Sequence, residues 1–165
     1  MIVVLMGVAG SGKSTVAAAL RAQTGWEFAE GDDYHPEENR AKMAAGIALT
    51  DEDRKPWLEA LHQVLTKWEQ SGVNGILTCS ALKKSYRDRL REGLNGLRFV
   101  WLNPRQSALE SRLAQRTGHY FNRSLLASQL ETLETPGGDE GVLELNGDET
   151  AEELARRILD ALKRS

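Results

Sequence analysis

The sequence predicts an α/β fold in which a parallel sheet is covered by helices on both faces, and three observations lead there. Short β-like runs alternate with helical ones along the chain. The first apolar run passes straight into a glycine-rich loop and then into a helical run. The length, 165 residues, is that of one domain with a real core, and too short for a core plus a large regulatory module.

Ile2-Val3-Val4-Leu5-Met6 is the first core strand. Behind it stand Gly7, Val8, Ala9, Gly10, Ser11, Gly12, Lys13 and Ser14, a complete G-x-x-x-x-G-K-S phosphate-binding loop, and the helical run Thr15 to Arg21 follows. Strand, loop and helix in that order are the context the motif requires. The glycines let consecutive backbone N–H groups turn inward around a polyphosphate, and the helix presents its positive N-terminal end to the same anion. Lys13 is expected to reach the β- and γ-phosphates, and the Ser14 hydroxyl to ligate Mg²⁺. ATP and Mg²⁺ are therefore the expected cofactors, with residues 7–15 as the nucleotide site.

Further strands are expected at Trp26–Glu30, Gly75–Cys79, Leu97–Leu102 and Val142–Leu145. The longest helical stretch, Asp51 to Gln70, opens on a Thr50-x-x-Asp53 capping pattern and carries Trp57, Leu58, Leu61, Leu65 and Trp68 at helical spacing. That stripe is read as core. Thr150-x-x-Glu153 opens the last helix in the same way, and Leu154, Ala155, Ile158, Leu159 and Leu162 form the face expected to pack on the sheet. No repeat, low-complexity tract or long linker divides the chain.

Two polar insertions, Gly31–Asp53 and Gln115–Gly141, interrupt the alternation. Both lie beyond strand C-terminal ends, where open α/β sheets bind ligands. Within 1–165 as a single domain, an acceptor-binding insertion is expected at about 31–58 and a lid at about 115–123.

Composition excludes several functions. With 21 basic and 24 acidic residues the net charge is −3, which leaves no electrostatic footprint for nucleic acid. Cys79 is the only cysteine, so neither an internal disulfide framework nor a cysteine-cluster metal site is available, and a reducing, cytoplasmic setting is the default. No apolar stretch approaches the ~20 residues of a membrane span, and Met1-Ile2-Val3 leads into a strand without a charged leader. A soluble, unprocessed chain is expected.

The phosphate loop alone fits kinases, GTPases, ATPases and motor domains. A base-reading Asn-Lys-x-Asp and a switch Asp-x-x-Gly are absent from the positions a GTPase requires. The strand Ile76-Leu77-Thr78-Cys79-Ser80 lacks the terminal carboxylate usual in ABC-type and motor ATPases. The metal is thus left to Ser14, nucleotide and water, with help from an acid elsewhere. The best-placed acid is Asp32, in Glu30-Gly31-Asp32-Asp33-Tyr34-His35-Pro36 just beyond the second strand. It suits a base that positions and deprotonates an attacking hydroxyl, or an N-cap for a helix beginning near Pro36.

Longer blocks narrow the acceptor. Gly31-Asp32-x-Tyr34-His35-Pro36, Asn39-x-x-Lys42-Met43-x-x-Gly46-x-x-Leu49-x-Asp51-x-Asp53-Arg54-x-Pro56-Trp57-Leu58 and Cys79-Ser80-Ala81-Leu82-Lys83-x-x-Tyr86-Arg87-Asp88-x-Leu90-Arg91 closely resemble the gluconokinase family. Gly118-His119-Tyr120-Phe121 and Leu125-Leu126-x-Ser128-Gln129-x-x-Thr132-Leu133-Glu134-x-Pro136 continue the likeness over nearly the whole chain. Departures are small: Tyr34 where an apolar residue is common, Tyr120 where Phe is common, and Glu30 where Asp is frequent. The resemblance implies a P-loop kinase fold similar to nucleoside monophosphate and shikimate kinases, with a five-stranded parallel sheet in order 2-3-1-4-5. It also implies phosphorylation of D-gluconate by ATP to 6-phospho-D-gluconate, and a homodimer. The nearest rival is another small-metabolite kinase of shikimate-kinase type, and the rival outside enzymes is a nucleotide-switched binding module.

Gluconate is a small carboxylate carrying a chain of hydroxyls, so its site needs a cation at one end and short donors and acceptors along the rest. Arg54 suits the carboxylate because a guanidinium grips it bidentately, the alternative being a surface ion pair with Asp51 or Asp53. Lys83 and Arg87 are placed to contact substrate or phosphate, or else lie on a solvated helix face. His35 and His119 are candidates for bonding hydroxyls or for bracing their loops. His62 and Cys79 are read as structural. Arg112 and Arg116, at i,i+4, share one helix face. In kinases of this fold the corresponding arginines stack on adenine and close onto the transferring phosphates, so Arg112 is assigned to nucleotide and Arg116, with Arg123 as rival, to catalysis.

Overall fold

The computed structural model describes residues 1–114, 123–146 and 148–164, with the side chains of 106, 107, 113, 114, 123 and 124 excepted. Five parallel strands form one sheet: β1 (Ile2–Met6), β2 (Glu27–Glu30), β3 (Gly75–Thr78), β4 (Leu97–Leu102) and β5 (Leu143–Leu145). Their order is β2-β3-β1-β4-β5, the order the family resemblance implies. Around it lie α1 (Lys13–Thr24), α2 (Glu37–Ala44), α3 (Asp51–Gln70), α4 (Lys84–Arg91), α5 (Gln106–Ala114), α6 (Arg123–Thr132) and α7 (Ala151–Lys163). No helix among the described residues is long and apolar enough to cross a membrane.

β1 is central, pairing Val3 with Ile76 on one side and Val3 with Arg98 on the other. All five of its residues are buried because both faces of the sheet are covered. Successive strand side chains point to opposite faces, so β1 feeds two cores. Ile2, Val4 and Met6 pack with Trp57, Leu61 and Leu65 of α3 and with Tyr86 and Leu90 of α4. Val3 and Leu5 pack with Val16 and Leu20 of α1 and with Leu154, Ile158 and Leu162 of α7. The aromatic stripe and the last amphipathic helix are thus core elements on opposite faces.

Both capping patterns form reciprocal boxes, with Thr50 Oγ accepting from Asp53 N–H and Thr150 Oγ from Glu153 N–H. Three strands are shorter than expected, with Trp26, Cys79 and Val142 left outside them. Trp26 N–H is taken by the Thr24 hydroxyl as the chain leaves α1, which keeps it off the ladder. Cys79 still donates its N–H to Leu5 O at 3.0 Å, but the chain is already turning toward the site.

Candidate active site

The phosphate loop joins β1 to α1 at the C-terminal edge of the sheet. Gly12 caps α1 with φ of 97°, a left-handed conformation that a side chain would strain, and so the turn from loop to helix needs glycine. Lys13 folds back over the loop and donates to Gly7 O at 2.8 Å and Val8 O at 3.0 Å. The Ser14 hydroxyl donates to Glu30 Oε2 at 2.8 Å, and the Thr78 hydroxyl to Glu30 Oε1 at 2.7 Å. The acid reaching Ser14 is therefore Glu30, at the end of β2, while Asp32 lines the same cleft two residues on. Ser14, Glu30 and Asp32 form an oxygen-only donor set of the kind Mg²⁺ takes, and this ion needs only one or two protein oxygens beside phosphate and water.

Beside the loop lies a cavity of about 270 Å³ bounded by Gly12, Thr15, Arg112, Glu149, Ala151 and Leu154. Arg112 Nη1 donates to Gly10 O at 3.0 Å, which ties α5 to the loop and places a guanidinium over this space. Arg116, His119 and the segment 115–122 of the expected lid lie outside the described residues, as does the side chain of Arg123.

A second cavity, lined by Asp32, His35, Arg54, Ser80 and Gln129, opens where β2 and β3 end. Its wall follows from one tight contact. A Cβ on Gly31 would lie 2.0 Å from the Thr78 carbonyl oxygen, so only glycine lets the 3₁₀ turn Gly31–Tyr34 fold against β3. Trp57 Nε1–H donates to Gly31 O at 2.8 Å and locks that turn onto α3. Asp32 sits inside the turn, and the N-cap position of α2 is held by Pro36 with no side-chain cap bond, so Asp32 is not the N-cap of that helix.

His35 is 7% exposed and stacks on Trp57 with ring centroids 4.2 Å apart. The Asn39 amide nitrogen donates to Asp53 O at 2.7 Å and faces His35 Nδ1 at 3.2 Å. A carbonyl can only accept, so the Asn39 amide orientation is settled, Nδ1 is the acceptor, and the ring proton sits on Nε2. Burial, with the Arg54 and Arg40 charges, lowers the His35 pKa to about 4. His35 is a neutral ring with one N–H donor at this cavity.

Arg54 is 9% exposed. Its Nη1 donates to the Tyr86 hydroxyl at 2.9 Å, and the Tyr86 hydroxyl donates to Asp51. Neither expected ion pair forms: Asp53 takes Lys42 at 2.8 Å, and Asp51 takes Lys83 at 2.9 Å. Lys83 thus reaches the cavity's margin through Asp51 and Tyr86, with its Nζ 5.7 Å from the Tyr86 ring centroid.

Arg87 requires a correction. It is neither a substrate contact nor on a solvated face, because it is fully buried with every terminal nitrogen engaged. Nε and Nη2 donate to Glu140 at 2.7 and 3.1 Å, Nη1 to Ala81 O and Leu82 O, and Nη2 also to Glu134 O. These bonds hold the turn after β3, where Ala81 adopts the left-handed φ of 47°. Arg87 acts on the site by fixing that turn, which carries Ser80. The structural readings of the other two residues stand: His62 Nε2 lies 2.8 Å from Glu92 O, and burial pushes the Cys79 thiol up to about 12.

Sequence reasoning left Glu30, Ser80, Tyr86 and Gln129 without roles. All four fall inside or beside the motif blocks, but the partner that gives each its role is remote in sequence. Gln129 is the clearest case, accepting the Ala9 N–H at 2.8 Å across 120 residues.

An AAA domain family model matches residues 2–136. The chain is 47% identical over 159 residues to the gluconokinase of Gluconobacter oxydans (strain 621H), covering 94% of this chain and 89% of that one. It is 44% identical over 164 residues to the thermoresistant gluconokinase of Escherichia coli (strain K12), covering 99% and 94%. A crystal structure of a gluconokinase from Sinorhizobium meliloti 1021 aligns with a TM-score of 0.86 at 46% identity, covering 98% of this chain and 91% of that one. A shikimate kinase from Aquifex aeolicus vf5 aligns with a TM-score of 0.63 at 17% identity over 99% and 96%, a likeness of fold alone.

Proposed function

We propose that this chain, which belongs to the gluconokinase family, transfers the γ-phosphoryl group of ATP to the C6 hydroxyl of D-gluconate. The observation that carries the reading is Arg54. It is a buried cation at the acceptor cavity whose hydrogen bond among the described residues goes to a neutral phenol. The nearest carboxylate that Arg54 reaches, Asp51, is met only through that phenol, so the buried guanidinium has no direct ion pair among the described residues, and a substrate carboxylate bonded to it directly lowers the cost of its burial. An acid acceptor is therefore favoured over a neutral sugar.

The geometry supports a simple reaction. Gluconate lies with its carboxylate at Arg54 and its far hydroxyl at Asp32, which lines both the acceptor cavity and the phosphate cleft. His35 Nε2–H donates to an intervening hydroxyl. The C6 oxygen attacks the γ-phosphorus, the bond to the β–γ bridging oxygen breaks, and the hydroxyl proton passes to the Asp32 carboxylate. Lys13 moves from the loop carbonyls onto the β- and γ-oxygens and offsets their charge. Mg²⁺ bound through Ser14, with Glu30 fixing that hydroxyl, would neutralise charge on the phosphates. Arg112 holds the nucleoside end, and Arg116 with His119, on the 115–123 lid, belong to the same proposal.

A homodimer rests on the family resemblance, and a cytoplasmic setting on the single buried thiol. ADP release measured over a panel of sugar acids and shikimate tests the activity, and the expected result is turnover that requires both D-gluconate and Mg²⁺. Turnover with shikimate and none with gluconate overturns the assignment, and a nucleotide switch would show no acceptor-dependent turnover at all.

A further inference from the structure

Gln129 stands in two cavities at once. It is 9% exposed on α6, and it lines both the cleft with Lys13, Ser14 and Asp32 and the acceptor cavity with His35 and Arg54. Its orientation is not arbitrary. The Ala9 backbone N–H lies 2.8 Å from the side-chain oxygen, and a backbone N–H can only donate. Oε1 is therefore fixed on the phosphate loop, and the amide NH₂ is turned away from it. That NH₂ group makes no hydrogen bond among the described residues and is not fully buried. Two N–H donors are thus held open to the space shared by nucleotide and acceptor, on a side chain that the loop itself positions.

We propose that Gln129 binds the acceptor, donating its amide N–H groups to hydroxyl oxygens of the bound sugar acid while its carbonyl oxygen holds Ala9. The same side chain then keeps phosphate loop and acceptor in register. A displacement of either moves both, which suits a reaction needing the attacking oxygen within about 3–3.5 Å of the phosphorus. A hydroxylated acceptor is what this donor pair selects, because an aliphatic acid of equal length would leave both N–H groups unpaired on binding. The inference rests on the gluconate reading of the same cavity.

Two variants separate a donor from a brace. Gln129→Glu keeps an oxygen for the Ala9 N–H but replaces both donors with an acceptor, whereas Gln129→Met removes oxygen and donors together. Thermal unfolding and the kcat and KM of each are measured against the wild type, for ATP and for acceptor. The expected result is that Gln129→Glu unfolds close to the wild-type temperature and keeps its KM for ATP within about threefold. Its kcat/KM for D-gluconate falls roughly 10²-fold, the size seen when a donor at a reacting centre is lost. Gln129→Met falls at least about tenfold. A Gln129→Glu enzyme with wild-type acceptor kinetics beside an impaired Gln129→Met would show a brace alone and overturn the proposal, as would two unimpaired variants. Should the wild type use another sugar acid in place of gluconate, the functional reading fails and the same comparison with that acid decides Gln129. A wild type with no acceptor-dependent turnover sinks both.

Discussion

Asp32 and His35 sit three residues apart and play different chemical parts because of what surrounds them. Asp32 lines the phosphate cleft and the acceptor cavity together, the place a base for the attacking hydroxyl must occupy. With Pro36 in the N-cap position of α2, Asp32→Asn removes the proposed base and leaves that helix start unchanged. Its kcat should drop by roughly 10²–10⁴ with an unchanged unfolding temperature, and near-normal kcat would move the base to Asp33 or Glu30. His35 is held neutral, and its pKa of about 4 lies below the usual 6.5 because burial and then the Arg54 and Arg40 charges oppose the proton. The unfolded chain binds that proton below pH 6.5 and the folded chain does not until pH 4. Stability from this group is therefore complete above pH 6.5 and lost as pH falls toward 4, amounting to at most about 3 kcal/mol. Urea unfolding of wild type and His35→Gln at pH 7, 5.5 and 4.5 should show a steeper acid loss in the wild type, and parallel slopes would refute it.

At the level of elements, the turn after β3 is where the architecture is most constrained. Its backbone passes through the left-handed Ala81, and carbonyls at Ala81 and Leu82 accept from Arg87, whose charge is met by Glu140 from the 3₁₀ turn Gly138–Glu140 before β5. Glu134 adds to the strap, its N–H donating to Leu82 O and its carboxylate accepting from Lys84 N–H. Breaking a buried pair costs far more than an exposed one, so Arg87→Met should lose about 3–5 kcal/mol in urea unfolding. Arg87→Met with Glu140→Leu should recover part of that loss, because the uncompensated carboxylate is then gone. A direct substrate contact would behave differently, raising KM for gluconate without loss of stability.

Across the whole molecule, the cleft at Lys13 and Ser14 and the cavity with His35 and Arg54 share Asp32, Ser80 and Gln129, so they are two parts of one cleft at the C-terminal edge of the sheet. Ligands that bind only the folded chain stabilise it by mass action, about 2.7 kcal/mol at a hundred times Kd. A non-hydrolysable ATP analogue and D-gluconate together should raise the unfolding temperature by more than the sum of their separate shifts. Strict additivity would mean that the two sites are energetically independent, contrary to their shared wall.

The local half of this protein was determined by sequence alone. The G-x-x-x-x-G-K-S loop, the Thr50 and Thr150 capping boxes and the apolar run of β1 are effects of neighbours within a few residues, so spacing sufficed to place them. The bounds of α3 followed from the same short-range logic. What depended on remote partners was invisible along the chain. Arg54, Lys83 and Arg87 look alike as cations at or near helix starts, and only packing decides that one lines a cavity, one pairs at its margin and one is sealed in the core with Glu140. Glu30 gains its hold on Ser14 only because β2 and β3 lie side by side, and Gln129 meets Ala9 only because α6 returns to the loop. Periodicity encodes which face of an element is apolar, whereas the chemistry of a buried polar group is set by the partner across the fold. That partner exists only once the sheet has ordered its strands.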